Sequence, residues 1–200
     1  MQAWEPLLDW WFGADHGTAT EVAAARQGLW FGKRDSQDRE AEARFGVLVE
    51  QALAGELQVW TDDPHGWLAQ LILLDQLPRM IFRDTPRAFA GDPLARPLLN
   101  DGLDRGWDRQ LTPIQRVFAY LIFEHAEDLP LQKRAVELFG ELLVEAATNE
   151  QPLFANFLDF AERHQQVIAR FGRFPHRNAI LGRASSDEEQ AFLREPGSRF

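Results

Sequence analysis

The densest set of groups able to do chemistry lies between Arg163 and Arg183. Five arginines (Arg163, Arg170, Arg173, Arg177, Arg183) and two histidines (His164, His176) stand there without one Asp or Glu among them. The chain as a whole has a formal net charge of −10, so this interval reverses the local sign. Within it, the stretch GRFPHRNAILGR (172–183) sets a glycine helix stop just before a proline helix start. A new helix there would present backbone N–H groups beside Arg173, His176, Arg177, Asn178 and Arg183. A helix N-terminus with guanidinium groups around it is chemistry suited to an anion. The same arginines would also serve as a structural ion network, neutralising the acids at 124–128 and the aspartates near 75. Arginine is in any case the habitual cation here, since Lys33 and Lys133 are the only lysines among 21 basic residues.

Other candidates are polar residues that interrupt apolar helix stripes, because a buried polar group is costly without a partner. Asp75 follows Leu71 by four and Ile72 by three, and Arg79 comes one turn later in the acid-then-base order that suits a helix. Either a buried clip or a site residue would look this way. His125 lies four after Leu121 on an apolar face, with Glu124, Glu127 and Asp128 around it. His164 sits at the centre of the stripe Leu153, Phe157, Phe160, Ala161, Ile168, Phe171. Two inward histidines on neighbouring helices would meet. Imidazole oriented by a carboxylate is the usual general base, and core histidines bonded to a carbonyl or carboxylate give the same pattern.

Several chemistries have no support. With no cysteine, the chain has no disulfide, thiolate metal site or cysteine nucleophile. It lacks the HExxH and paired Glu-x-x-His arrangements of metal centres, and no G-x-S-x-G elbow occurs. No metal and no cofactor is therefore expected. The acidic balance, with a pI near 5.0, argues against wide contact with nucleic acid or an anionic membrane. The opening MQAWEPLLDWWFG carries no basic leader, and no apolar run has transmembrane length, so a cytoplasmic location is the expectation.

The elements that must hold these groups read as helices. Thr112-Pro113-Ile114-Gln115 combines an N-cap, a proline at the first helical position and a capping-box glutamine. Asp63 and Pro64 open a helix through Leu74 that is apolar nearly all round. Pro130 opens another to about Ala147, with Lys133 and Glu137 spaced to pair, and Pro152 opens a long one that ends at Gly172. Shorter helices are expected at Ser36 to Ala54, Pro93 to Arg105, Pro175 to Leu181 and Asp187 to Arg194, the last announced by Ser186 and Glu189. No strand pattern and no 34-residue repeat is visible. The expectation is all-α: one domain over 1–200, an array of helical hairpins with its last few residues flexible.

The blocks WFGKRD (30–35), LLDQLPRMIFRDTPRAF (73–89), FEHAEDLPLQ (123–132) and FGRFPHRNAILGR (171–183) resemble the bacterial family called domain of unknown function 924. The resemblance covers nearly the whole chain. It implies a tetratricopeptide-like helical fold and no established activity. Its motif residues fall on Asp75, Gln76, Pro78, Arg79, Arg83, His125, Glu127, Asp128, His164, Arg173, His176, Arg177, Asn178 and Arg183. Leu77, Met80 and Ala126 stand where the resemblance leads one to expect Phe, Asn and Ser.

Three functions follow as expectations. A binding module would hold a small anionic ligand or a peptide carboxylate in a pocket of Arg79, Arg83, Arg173, Arg177 and the inward histidines. A hydrolase or phosphoryl-handling enzyme would use His125 or His164 as general base, oriented by Glu124, Glu127 or Asp128, with arginines stabilising developing charge. A scaffold would expose Trp4, Trp10, Trp11 or Trp107 as interface anchors. No residue pattern indicates the oligomeric state.

Overall fold

The computed structural model describes residues 2–14 and 17–198. The described residues are helical with intervening turns, and no strand occurs among them. In chain order the helices are α1 (Glu5–Phe12), α2 (Ala19–Trp30), α3 (Asp35–Leu53), α4 (Pro64–Leu74), α5 (Gln76–Ile81), α6 (Asp92–Asp104), α7 (Pro113–Glu124), α8 (Leu129–Glu145), α9 (Gln151–Phe171) and α10 (Asp187–Phe192).

The stop and start chemistry acts where the residues put it. Asp63 caps α4 by accepting from the N–H of His65 at 2.8 Å. Thr112 N–H donates to Gln115 Oε1 at 3.0 Å ahead of α7, and Ser186 Oγ accepts from Glu189 N–H at 3.1 Å ahead of α10. Gly172 closes α9 in the left-handed region at φ 69°. On the wet side of α8, Glu137 pairs with Arg134 at 3.0 Å, not with Lys133 as the i, i+4 spacing suggests.

Two parts of the chain differ from expectation. The helix expected over Pro175 to Leu181 is only a 3-10 turn, Pro175–Arg177, followed by further turns. Its N–H groups are not stacked into an N-terminus because the chain bends here around a carboxylate of its own, described below. Helices α1 and α2 were not anticipated. Trp4 before α1 gives no side-chain cap, and only Pro6 and the acid Glu5 in its first turn mark that start, whereas Thr18 and Glu21 form a full capping box ahead of α2.

The core is one contiguous cluster from Leu7 to Ala161. Trp11, Phe12 and Trp30 converge on Phe118 with ring centroids 5.4, 5.4 and 4.7 Å away, which bolts α1 and α2 to α7. Rings of this size each stabilise by about 1.5–3 kcal/mol through burial. Trp10 and Trp11 are therefore core residues, and Trp4 and Trp107 are partly buried, so none of the four stands out as an exposed anchor. Helices α8 and α9 form a hairpin. A small separate cluster of Val167, Ile168 and Phe174 seats the segment after α9 against Leu129, Phe171 and Phe192. The expectation of flexible last residues falls in part on Arg199 and Phe200, which lie outside the described residues, while Ser198 is buried.

One break in the helices shapes the site. Pro78 has no N–H to offer the carbonyl of Leu74 one turn earlier, so α4 stops and α5 begins afresh after Asp75, which sits at φ −109°, ψ −60°. The released Leu74 carbonyl faces Gly91, where a Cβ would stand only 2.0 Å from the oxygen. Glycine lets the start of α6 press against the break, and that contact delivers Asp92 to the side chain of Arg79.

Candidate functional site

Asp75 is 1 % exposed at the α4–α5 break. His125, at the end of α7, places Nδ1 2.9 Å from each carboxylate oxygen of Asp75. Arg79 reaches the same carboxylate at 2.8 Å, and Gln76 donates to it as well. Burial alone would raise the Asp75 pKa, but Arg79 and His125 hold it well below the usual carboxylate range. An ionised Asp75 fixes the proton of His125 on Nδ1 and leaves Nε2 as the basic nitrogen. Burial pulls the His125 pKa down against the attraction of Asp75. A neutral imidazole oriented by a carboxylate results.

The second histidine meets the first, with ring centroids 6.3 Å apart. His164 Nδ1 lies 2.8 Å from the carbonyl of Phe160 and 3.1 Å from Glu124 Oε1. Burial, helped by His125, pushes its pKa down to about 3. Glu124 is 3 % exposed, and burial together with the nearby charge of Asp75 lifts its pKa to about 8. Near neutral pH the pair is an uncharged carboxyl beside an uncharged imidazole.

Arg177 is the third component. Its guanidinium lies 4.7 Å from the Phe89 ring and 4.5 Å from the Phe174 ring, and the residue is 5 % exposed. The ion pair it makes with Asp92 spans 3.6 Å, and among the described residues its buried Nε has no hydrogen-bond partner. Burial, then repulsion from Arg79, lowers its pKa to about 10. Asp92 also faces Arg79 at 3.1 Å. His176, beside Arg177, is pushed down to about 3, first by burial and then by that arginine.

The remaining candidates are each tied to carboxylate or backbone partners within the fold. Glu127 accepts from the N–H of Phe174 at 2.8 Å and from both arms of the Arg183 fork at 2.6 and 2.8 Å. The protein's own carboxylate thus occupies the backbone donor that the sequence suggested for a foreign anion. Arg183 also donates to Asn178 Oδ1 at 3.0 Å, and Asn178 donates to Ser185 at 3.0 Å. Arg173 forks onto Glu189 at 2.6 and 2.8 Å. Asp128 caps α8 by accepting from Leu131 N–H at 3.0 Å. Arg83 pairs with Asp38 of α3 through two 2.7 Å bonds, and both line the cavity described next. The acid-free interval is therefore divided: Arg173, Asn178 and Arg183 fold the loop, and His176 and Arg177 are turned to the interior.

A cavity of about 1080 Å³ opens beside these groups and is walled by Gln76, Arg79, Arg83, Glu124, His125, His164, His176 and Arg177 together with α2, α3 and α9. Six cationic side chains line it (Lys33, Arg34, Arg79, Arg83, Arg163, Arg177) against three acids (Asp38, Asp84, Glu124). In a chain of net charge −10 this wall reverses the overall sign. Among the described residues no group of three His, Cys, Asp or Glu could hold a metal ion, and no helix is long and apolar enough to cross a membrane. Sequence reasoning did not single out Asp92, Phe89 or Asp38. Asp38 enters through packing of α3 against α5, Phe89 through the 3-10 turn Pro86–Phe89 against α5, and Asp92 at the start of α6, which packs on α4; no local pattern announces these contacts.

The family model for a bacterial protein of unknown function, DUF924, matches residues 7–197. The chain belongs to the DUF924 family. It is similar, at 37 % identity and a TM-score of 0.74, to the solved structure of a protein of unknown function, ATU0120, from Agrobacterium tumefaciens, over 88 % of this chain and 96 % of that one. No curated protein matches the chain. DUF924 membership confirms the resemblance carried by the four sequence blocks and brings no activity with it.

Proposed function

We propose that this chain binds a small anionic ligand in the cavity, through Arg79, Arg177 and a ring N–H of neutral His176. The observation that carries this reading is the state of Arg177. A buried guanidinium normally acquires close carboxylate partners, because removing an ion from water costs several kcal/mol unless bonds compensate it. Arg177 has a 3.6 Å ion pair, two aromatic faces and a buried N–H without a partner among the described residues. An anion in the cavity, seated on the small part of the guanidinium that stays exposed, would supply the close counter-charge that Asp92 gives only at 3.6 Å. Acetate and inorganic phosphate should raise the melting temperature of the wild-type protein, and Arg177→Met should abolish that rise. A wild type indifferent to both ions sinks the reading.

A second reading has its own support in the Asp75 and His125 pair. Nδ1 held on a buried, ionised carboxylate leaves Nε2 as a base toward the cavity side of the ring, as a hydrolase needs for activating water. The arginines would then stabilise charge developing on an ester or phosphoester. Activity on simple acyl or phosphate esters that disappears in His125→Gln would favour this reading, and a turnover unaffected by that change would remove it.

A further inference from the structure

Buried polar groups and exposed rings meet on the cavity wall. Glu124, His164 and Arg177 line it and are buried, beside the equally buried apolar Trp11 and Ala88. Trp30, Met80 and Leu121 are apolar, buried, and also line it. Phe31 and Phe160 line it too, and they are 55 % and 39 % exposed, the only Phe residues among the large exposed hydrophobics of the described chain. Folding alone favours the opposite order, with rings inside and charges at the surface. An exposed ring on a cavity wall leaves apolar area in water that a ligand would cover.

We infer that the ligand is an amphiphilic anion, with one acidic head group on a single apolar chain. The head lies against Arg177 and Arg79, and the chain runs along Trp30, Met80 and Leu121 to the rings of Phe31 and Phe160. This deepens the anion-binding reading and rests on it. The volume of about 1080 Å³ exceeds what a bare phosphate or acetate fills and matches pockets that take ligands of a few dozen atoms. Most of the wall is apolar, so a small anion alone would leave that surface wet. The head is a carboxylate or a phosphate monoester, both of which a guanidinium recognises.

The test is calorimetric titration of the purified full chain with acetate, hexanoate, octanoate, decanoate, decyl phosphate and decyltrimethylammonium, each below its micelle concentration. Burial of each methylene strengthens binding roughly fourfold. Decanoate is therefore expected to bind at least about 100-fold more tightly than acetate, and decyltrimethylammonium not to bind. Tight binding of decanoate identifies a carboxylate head and of decyl phosphate a phosphate head; either supports the inference. Phe31→Ala and Phe160→Ala, both at exposed positions that leave the core intact, should each weaken the ten-carbon anion about tenfold and leave acetate unaffected. Equal affinity along the carboxylate series, or Phe variants that bind decanoate like the wild type, overturns the amphiphile while small-anion binding stands. Equal binding of decyltrimethylammonium, or no binding of any anion, overturns both.

Discussion

Asp92 stands 3.1 Å from Arg79 and 3.6 Å from Arg177, so one carboxylate faces two guanidinium groups at the edge of the cavity. Two cations sharing one acid are unequally satisfied. Arg79 has Asp75 as a second partner at 2.8 Å, and Arg177 has the rings of Phe89 and Phe174. Arg177 is therefore the arginine of the two with the weaker protein counter-charge, which is what the proposed anion site requires.

The arginines outside the cavity should behave as structural ties. Arg183→Met leaves Glu127 half-buried without its fork and should lower stability by about 2 kcal/mol, the usual worth of hydrogen bonds to a charged group. Denaturant unfolding measures it. Ligand affinity per folded molecule should be unchanged, and a loss of affinity at full stability would return Arg183 to the binding set.

Glu124 should set the alkaline side of the stability profile. Its folded pKa of about 8 lies above the ordinary 4.5, so the stability from keeping it protonated is complete below about 4.5 and lost as pH rises through 8. His164 is pushed the other way, from 6.5 to about 3, so its contribution is present above 6.5 and lost as pH falls through 3. Between about pH 6.5 and 9 only the first effect operates between these two groups. The melting temperature of the wild type should fall over that window, and that of Glu124→Gln should stay flatter. Parallel curves would show that Glu124 is ionised throughout.

Gly91→Ala should be costly although the position is a helix start at an ordinary φ of −83°. The added Cβ meets the Leu74 carbonyl at 2.0 Å, backbone against backbone, and α6 must shift away. Overpacking of this kind costs about 1–3 kcal/mol. Because Asp92 moves with α6, any ligand affinity should fall with stability. Alanine at Gly140, where a Cβ meets nothing within 4 Å, is the matched control and should be neutral or stabilising.

Much of this architecture is legible locally. Caps at Asp63, Thr112 and Ser186 each act within a few residues, so the helices they start can be read from the chain. Asp75 and Arg79 pair at the i, i+4 spacing that marks them, and His125 and His164 meet because each interrupts an apolar face turned to a neighbouring helix. The division of the arginine-rich interval is not legible. Arg173 and Arg183 look like Arg177 in sequence, and only the long-range partners Glu189, Glu127 and Asp92 distinguish them. The bend at 174–178 escapes for the same reason: Glu127, 47 residues before Phe174, takes the N–H that a local reading left open.

Arg177→Met offers the most direct test, read by melting temperature with and without acetate, phosphate and decanoate. Methionine fills the slot between Phe89 and Phe174 without a charge, and Asp92 keeps Arg79. The variant is expected to melt within a few degrees of the wild type, since an incompletely paired buried ion stabilises little, and to lose the rise that anions give the wild type. A variant that melts far lower, beside a wild type that no anion stabilises, would make Arg177 one more structural tie and contradict the proposed site.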